Sequence, residues 1–468
     1  MSEFLPLGSY LCDTNAPDYV CIRDGKPVPR KTFLDDVTTL VSALKPTCHQ
    51  NRHLVFCESS YLFAVTLFAV WQTESVCVLP PNNSVDTIEG FRDYADTFIT
   101  DKPFDSLSLK TIHPQQHHQC CDTTLFNIPD NRTVLELFTS GTTGDRKQIA
   151  KTLANINSEL AVLQSTFSPL LDGCLVFSTV THQHIYGLLH KVLSPLSARQ
   201  LFVDETYFYP ERLFEDMSKE TKTALISTPA YLNRLPDLID LEGTDRFCNA
   251  IFSSGSLLDK NSSLRLSQCS GVTPTEILGS TETGGVAWRR QNKEADSEFW
   301  TTLESVEVST SPEKFLQVRS PFVFLENEGQ QFFTMGDMAV IEDHNRFKLL
   351  GRGDRIVKIG EKRVSLQEIE KNLQRVATVE ACAVFPITNQ RDTVKRTVLA
   401  CVVEPSHYSD DIDKTAIIRD YKKHLSKSFS QTVLPRYWRF VENMPIDQQG
   451  KTSLDALKKL FREESENV

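Results

Sequence analysis

The chain has 468 residues, of which 40% are hydrophobic, and a formal net charge of −11 at pH 7. Because one hydrophobic core rarely grows beyond about 300 residues, this length predicts at least two domains. The acidic balance argues against nucleic acid as a partner, since that interaction needs a concentrated basic surface. No stretch approaches the roughly 20 apolar residues that span a bilayer, and the N-terminal residues lack a signal-peptide pattern, so a cytoplasmic location without a membrane span is expected.

The first predicted elements lie in residues 54–79, where two short apolar runs flank a segment with helical spacing of apolar residues. This pattern predicts a strand, a helix and a second strand, a βαβ-like unit. Three later apolar runs, at residues 174–180, 223–229 and 250–256, each end in Ser, Thr, Gly or Pro. Loops at strand ends carry the chemistry of α/β sheets, so we expect the functional site at these ends.

The pattern changes beyond residue 300 to short strands, and from Val364 it predicts a helix, two strands and a second helix over 414–429. Charge changes as well. Residues 351–468 carry 21 Lys and Arg against 17 Asp and Glu, a net charge of +4, which leaves 29 against 44, or −15, for residues 1–350.

The expected fold class is therefore α/β, with a large multi-sheet N-terminal domain over 1–350 and a small α/β C-terminal domain over 357–468. Residues 351–356, which read GRGDRI, combine glycine with charge and are predicted to form the hinge between the two domains. Flexible, charged connections of this kind suit a boundary.

Twelve cysteines are scattered along the chain. The adjacent pair Cys120 and Cys121 is poorly placed to bridge with itself, so reduced thiols are expected. The tract at residues 113–121, HPQQHHQCC, lacks the ligand spacing of a zinc site and is interpreted as an exposed connector rather than a metal site.

The stretch LFTSGTTGDRKQIAKT at residues 137–152 is dense in hydroxyls and glycines. It is not a Walker A loop, because Gly144 is followed by Asp145 instead of lysine. Glycines still let main-chain N–H groups converge on phosphate oxygens, hydroxyls add donors, and a lysine adds charge. A flexible surface turn remains the alternative for this stretch alone. The candidate nucleotide ligands are Thr139, Ser140, Gly141, Thr142, Thr143, Gly144 and Lys147.

Three further clusters follow. In LGSTETGG, residues 278–285, Thr281 can contact a phosphate and Glu282 a divalent cation, the alternative being a turn that caps a helix. Asp337 can accept both hydroxyls of a ribose, and Arg352 can neutralise phosphate. Lys451 lies on a predicted loop before the last helix.

These four clusters, in this order, resemble the adenylate-forming superfamily of acyl-CoA synthetases, nonribosomal peptide adenylation domains and firefly luciferase. The resemblance covers nearly the whole chain and implies a large ATP- and acid-binding domain with a small mobile C-terminal domain. It implies that Thr139 to Lys147 hold the β- and γ-phosphates of ATP. It also implies that Thr281 and Glu282 contact the α-phosphate and Mg²⁺, and that Asp337 binds the ribose with Arg352 beside it.

The same resemblance assigns the remaining residues. Lys451 matches the lysine that bridges the acid and the α-phosphate during adenylation, and Asp354 matches the hinge. The predicted acid pocket consists of His184, Ser254, Gly255 and Gly279. Two departures from the family pattern stand out: Arg146 replaces a proline of the phosphate loop, and Leu278 replaces a tyrosine that often precedes Gly279.

The implied reaction is activation of a carboxylic acid to an acyl-adenylate with release of pyrophosphate, followed by transfer to a thiol. Coenzyme A and the phosphopantetheine of an acyl carrier protein are the alternative acceptors, and the +4 segment would attract an acidic carrier. STETGGVAWR, residues 280–289, is also similar to stand-alone ligases of aryl-polyene and related pathways, which indicates an aromatic or fatty-acid-like substrate. A catalytically silent nucleotide-binding regulatory paralogue is the alternative function, and the retained charged residues argue against it.

Overall fold

The computed structural model describes residues 4–45, 51–80, 82–104, 107–115, 123–140, 146–292, 298–325, 329–359, 362–389, 396–408, 413–445 and 453–461. The chain divides into two compact units. Unit 1 comprises Met1–Val308, Val318–Phe333 and Glu342–Phe347, and unit 2 comprises Ser309–Gln317, Thr334–Ile341 and Lys348–Val468. The hinge at 351–356 stays a prediction.

Strands and helices occur in both units, as expected of an α/β chain. The strands are β1 (Tyr19–Arg23), β2 (Lys26–Pro29), β3 (Arg52–Phe56), β4 (Val76–Leu79), β5 (Thr97–Thr100), β6 (Lys110–Ile112), β7 (Thr133–Ser140), β8 (Arg146–Thr152), β9 (Leu175–Ser178), β10 (Phe202–Val203), β11 (Thr223–Ser227), β12 (Cys248–Ser253), β13 (Thr275–Ser280), β14 (Gly284–Arg290), β15 (Trp300–Thr302), β16 (Glu307–Thr310), β17 (Phe315–Arg319), β18 (Phe333–Asp343), β19 (Arg346–Arg352), β20 (Ile356–Ile359), β21 (Lys362–Ser365), β22 (Val379–Asn389), β23 (Arg396–Pro405) and β24 (Tyr437–Phe440). The helices are α1 (Arg30–Leu44), α2 (Ser60–Gln72), α3 (Val85–Glu89), α4 (Leu153–Leu171), α5 (Ile185–Gly187), α6 (Ser194–Ser197), α7 (Pro210–Met217), α8 (Pro229–Leu232), α9 (Leu235–Leu238), α10 (Lys260–Ser270), α11 (Leu366–Leu373), α12 (Lys414–Leu425) and α13 (Leu454–Lys459). A π-helix, Leu188–Leu193, joins α5 to α6.

The first sheet of unit 1 has the order β6-β5-β3-β4-β7-β8. Its strands are parallel except β8, which pairs antiparallel with β7. The predicted βαβ-like unit is confirmed as β3, α2 and β4. Every residue of α2 is buried, which explains why this helix is apolar all round instead of amphipathic. Ser59 caps it by accepting a hydrogen bond from the Leu62 N–H at 3.1 Å.

The second sheet of unit 1 contains the parallel order β1-β10-β9-β11-β12-β13. β14 and β15 continue it antiparallel beyond β13, and β2 closes the other edge. The three apolar runs of the sequence are the neighbouring strands β9, β11 and β12. Their register places Ser178 opposite Ile226 and Ser227 opposite Ser253. The polar strand ends therefore share one edge of the sheet, as predicted.

Strands β16 to β19 contribute residues to both units. The rest of unit 2 contains the β20–β21 hairpin, the sheet β22-β23-β24 and the helices α11 to α13. Alternate residues of β22 face opposite sides of this sheet. Val384 packs in the cluster that includes α11 and α12, whereas Phe385 packs with Leu457 of α13. The helix predicted over 414–429 is wrong at its C-terminal end, because α12 ends at Leu425, its last buried apolar residue, before a Ser-Lys-Ser turn.

Cysteine and metal predictions can be compared with the structure only where it describes the chain. The nine cysteines within the described residues are free thiols, as expected. Residues 116–121 of the tract HPQQHHQCC lie outside that part of the chain. Among the described residues, no group of three His, Cys, Asp or Glu side chains could hold a metal ion, and no helix has the length and apolar character needed to cross a membrane.

Candidate functional site

The phosphate-loop stretch connects β7 to β8. The two strands form a hairpin in which Thr139 pairs with Lys147 and Ser140 with Arg146. The candidate ligands Gly141, Thr142, Thr143 and Gly144 lie between these strand ends, outside the described residues. The hairpin therefore places Lys147 at the base of the predicted phosphate loop.

The second cluster forms a tight turn, residues 281–283, between β13 and β14. Thr283 is buried, and its Oγ1 accepts a hydrogen bond from the Ser280 N–H at 3.0 Å and donates to the Gly284 carbonyl at 2.8 Å. A Cβ at Gly279 would lie 2.3 Å from the same carbonyl, so this position requires glycine. These contacts fix the main chain on both sides of Thr281 and Glu282.

Lys147 and Glu282, which come from different sheets of unit 1, meet in the structure. The Lys147 Nζ lies 3.7 Å from the Glu282 Oε1, and the two side chains are 32% and 18% exposed. The lysine also lies over the Phe333 ring, 5.2 Å from its centroid. A half-buried pair with remaining access to solvent can exchange its mutual contact for contacts to a ligand.

Glu282 fits the magnesium site that the resemblance implies. Mg²⁺ in nucleotide enzymes is bound by one or two carboxylates together with substrate phosphates, and it keeps several waters. One partly exposed carboxylate beside the lysine of the predicted phosphate loop suits such a shared ion. The residue would hold Mg²⁺ jointly with ATP.

Two residues behind this turn were assigned no role from the sequence. The buried Lys151 donates to the main-chain carbonyls of Glu282, at 3.1 Å, and Phe322, at 2.6 Å. The buried Glu159 accepts a hydrogen bond from the Gly285 N–H at 2.7 Å. In the sequence, a role for these two residues could have been suspected because Lys151 and Glu159 lie among apolar positions of β8 and α4. Charged side chains are rarely buried unless they are paired.

In unit 2 the structure brings Asp337 and Arg352 together. Asp337 lies on β18 and Arg352 ends the neighbouring strand β19, with 3.6 Å between the Asp337 Oδ2 and the Arg352 Nη1. A Cβ at Gly336 would lie 2.7 Å from the Arg352 Nη2, so the guanidinium packs directly on the main chain there. Asp354 follows in the 3₁₀ turn Gly353–Arg355, and Lys451 lies outside the described residues.

The predicted acid-pocket residues lie on neighbouring elements of unit 1. Ser254 follows β12, and its Oγ donates to the Ile277 carbonyl at 2.8 Å, two residues before Gly279 on β13. Gly255 has a φ of 92°, a conformation that favours glycine. His184 occupies the N-cap position of α5, and its side chain makes no capping hydrogen bond. Three of the four residues are thus brought to the ends of adjacent strands, and His184 starts the helix after β9.

Comparison with known proteins adds the decisive observation. The sequence model of the AMP-binding enzyme family matches residues 54–308, more than half of the chain. The chain belongs to this family. As an AMP-binding enzyme it is an AMP-forming ligase that uses ATP to activate a carboxylic acid, and the matched segment contains both β7–β8 and the 281–283 turn.

Individual relatives of this AMP-binding enzyme are distant. It is 23% identical over 346 residues to a D-alanine–D-alanyl carrier protein ligase of Lactococcus lactis subsp. lactis (strain IL1403), a match that covers 69% of this chain and 68% of the relative. The enzyme of the same name from Listeria innocua serovar 6a (strain ATCC BAA-680 / CLIP 11262) is 30% identical over 136 residues, which cover 29% of this chain and 26% of that protein.

The fold of this AMP-binding enzyme is shared with solved structures. ATP-bound MatB from Rhodopseudomonas palustris superimposes with a TM-score of 0.82 at 18% identity, over 98% of this chain and 99% of that one. At this identity the likeness shows the fold alone.

Proposed function

We propose that this enzyme activates an aromatic or fatty-acid-like carboxylic acid with MgATP and transfers the acyl group to the phosphopantetheine thiol of an acidic acyl carrier protein. The observation that carries the proposal is the approach of Lys147 to Glu282, 3.7 Å apart between the phosphate-loop hairpin and the 281–283 turn. A cation and a metal-binding carboxylate at one position suit a site for a magnesium-bound polyphosphate.

The first step must join two anions. A carboxylate oxygen of the acid attacks the α-phosphorus, the bond from that phosphorus to the β-bridging oxygen breaks, and pyrophosphate leaves with the electron pair. Lys147 supplies positive potential beside the β- and γ-phosphates, and the Thr281 hydroxyl donates to an α-phosphate oxygen. Mg²⁺, when bound at Glu282, neutralises phosphate charge. Lys451 is proposed to bridge the carboxylate and the α-phosphate.

The remaining assigned residues orient the reactants. Asp337 accepts hydrogen bonds from the ribose hydroxyls, with Arg352 beside it. Ser254, Gly255 and Gly279, at the ends of β12 and β13, and His184 line the acid pocket. Orienting both reactants converts a bimolecular encounter into an effectively unimolecular step, which adds to the electrostatic contribution.

In the second step the thiol sulfur attacks the carbonyl carbon of the acyl-adenylate, its proton is released, and AMP leaves. We propose that residues 357–468 turn about Asp354 between the two steps, so that Lys451 leaves the site and residues 358–364 enter it. The small domain is thereby assigned a different role in each half-reaction.

The choice of a carrier protein as acceptor rests on charge and on the relatives. Lys414, Arg419 and Lys423 of α12 are exposed, as is Lys427 in the turn that follows it, while Tyr421 and Leu425 of the helix are buried. A basic surface steers an acidic partner. Two relatives are named carrier protein ligases, which supports the same acceptor class and makes D-alanine a necessary comparison substrate.

Exchange of labelled pyrophosphate into ATP tests the first step. Purified enzyme with Mg²⁺ is assayed with benzoates, hydroxybenzoates, fatty acids and D-alanine, and at least one aromatic or fatty acid should support exchange. Lys147→Ala and Glu282→Gln should each lower the rate by roughly 100-fold or more. Nucleotide binding without exchange for any acid would instead support the regulatory alternative.

Mass spectrometry identifies the acceptor. The enzyme, ATP and the active acid are incubated with acidic phosphopantetheinylated carrier proteins or with coenzyme A, and an acyl mass should appear on a carrier. Acylation of coenzyme A alone would reject the carrier and leave the activation step intact.

A further inference from the structure

The buried face of the 281–283 turn holds an unusual pair of charged residues. Lys151 on β8 and Glu159 on α4 are each 2% exposed, although ionic groups are costly to remove from water. Burial lowers the pKa of Lys151, and the nearby carboxylates of Glu159 and Glu282 oppose that shift. A buried charged group that loses its partners is strongly destabilising, so the partners of these two side chains show what accommodates them.

Within the described residues, the hydrogen bonds of the pair go to the main chain of the turn, of β14 and of the segment at 322–324. Lys151 donates to the Glu282 carbonyl, which also accepts from the Phe324 N–H at 2.7 Å, and to the Phe322 carbonyl. Lys151 thus joins the turn to the segment at 322–324. Glu159 holds the Gly285 N–H at the start of β14.

The packing leaves the turn little freedom to move relative to these two side chains. Gly284 has a φ of 64°, and a Cβ there would lie 2.5 Å from either carboxylate oxygen of Glu159. The main chain therefore rests directly on this carboxylate. Lys151 holds the Glu282 main chain from its buried side, and the Glu282 side chain lies near Lys147. The buried lysine therefore helps to set the position of that side chain.

We propose that Lys151, supported by Glu159, is a positioning residue that holds the 281–283 turn in the geometry needed to bind MgATP. The inference rests on the proposed function, in which Thr281 and Glu282 contact the nucleotide and its metal. Replacing Lys151 with an apolar residue removes a hydrogen-bond donor from the Glu282 carbonyl and from the buried Phe322 carbonyl. The turn should therefore shift. Displacements of about 1 Å at a positioned group can cost up to 100-fold in activity.

Calorimetric titration of the full-length chain with MgATP tests this inference without requiring turnover. Lys151→Met should weaken MgATP binding by about tenfold or more, whereas Lys151→Arg, which keeps the donors, should stay within about threefold of wild type. The matched control is Lys191→Met, because Lys191 is as deeply buried and donates to the Asp204 carbonyl and the Thr206 hydroxyl. It should bind MgATP within about threefold of wild type.

A second condition separates positioning from general loss of structure. In excess EDTA, where no Mg²⁺ is present for Glu282 to hold, the difference between wild type and Lys151→Met should shrink. Thermal melting of each variant sets a temperature at which all are folded. If Lys151→Met fails to fold, Glu159→Gln takes its place, and it should weaken MgATP binding by clearly more than the roughly threefold range allowed for Lys191→Met.

The outcomes are distinguishable. Equal MgATP affinities for Lys151→Met and Lys191→Met, or for Glu159→Gln and wild type, would overturn the positioning role while leaving the proposed function intact. A wild-type chain that binds no MgATP would overturn the proposed function and the inference together.

Discussion

Around the 281–283 turn, single glycine positions have no room for a larger side chain. Gly284 combines a positive φ with a close approach to the Glu159 carboxylate, and Gly279 lies against the Gly284 carbonyl. Both are glycines because a Cβ would collide with groups that are themselves fixed by hydrogen bonds. The turn is consequently sensitive to changes of a single methyl group.

Gly284→Ala should destabilise the protein more than an alanine at an open left-handed glycine. Gly25 is the matched control, because its φ is 71° but nothing lies within 4 Å of its would-be Cβ. Both variants carry the backbone strain, and only Gly284→Ala adds a collision, so its free energy of unfolding should fall by at least ~1 kcal/mol more. Urea denaturation of both variants measures the difference, and equal losses would contradict the close contact with Glu159.

Glu159 should make stability depend on pH. Burial raises the pKa of this carboxyl from 4.5 to about 7, with Lys151 and the Gly285 N–H opposing the shift. Since the folded chain binds this proton more tightly than the unfolded chain, the group's contribution to the free energy of unfolding falls as pH rises from about 4.5 to about 7. Glu159→Gln lacks that contribution. The melting temperature of the variant minus that of wild type should therefore increase as the pH rises from about 4.5 to about 7.

The control for removing a charge is Glu242→Gln, at an exposed position. Melting curves of wild type, Glu159→Gln and Glu242→Gln at half-unit pH intervals show whether the difference in melting temperature depends on pH. A constant offset between Glu159→Gln and wild type would mean that Glu159 titrates in its ordinary range.

At the scale of elements, the C-terminal part of the predicted hinge is anchored within unit 2. Arg355 pairs through its Nη2 with the Glu370 Oε1 on α11 and donates to the Val384 carbonyl on β22 at 3.4 Å. The same Glu370 oxygen accepts a hydrogen bond from the Val384 N–H at 2.6 Å. One ion pair therefore connects the turn containing Asp354 to a helix and a strand.

Arg355→Leu should loosen α11 and the adjoining part of β22. It leaves the largely buried Glu370 without its cation, and breaking such a pair typically costs about 3 kcal/mol. Hydrogen-exchange mass spectrometry of the full chain should show faster exchange in α11 and at Val384. Arg375→Leu, at an exposed arginine two residues beyond α11, should leave these amides protected. Unchanged exchange in Arg355→Leu would exclude the anchoring role.

At the scale of the whole molecule, the two half-reactions should depend on different parts of the chain. Lys451→Ala should lower acid-dependent pyrophosphate exchange by 100-fold or more, because it removes the proposed positive charge at the α-phosphate. Transfer of acyl groups from a supplied acyl-adenylate to the thiol should stay within roughly threefold of wild type. Comparable loss of both reactions would contradict a role restricted to adenylation.

Local chemistry made much of this protein predictable. Apolar runs followed by Ser or Gly identified β9, β11 and β12 and the strand ends that lie side by side. Hydrophobic periodicity and turn-forming residues can be read from neighbouring positions in the chain. The clusters at 137–152 and 278–285 could be recognised for the same reason, since glycines and hydroxyls that suit phosphate lie next to each other in the chain. The end of α12 was misjudged, because helix ends depend on which residue is last to pack.

The sequence by itself determined the α/β class, the order of the elements and the family to which the enzyme belongs. Only the tertiary structure decided that Lys147 approaches Glu282 and that Lys151 and Glu159 lie buried behind the 281–283 turn. Lys151 and Glu282 are separated by 131 positions in the sequence, and nothing in the intervening chain signals their contact. Whether a charged side chain is solvated or buried against a distant main chain depends on how sheets pack, and that is set by long-range contacts rather than by sequence neighbours.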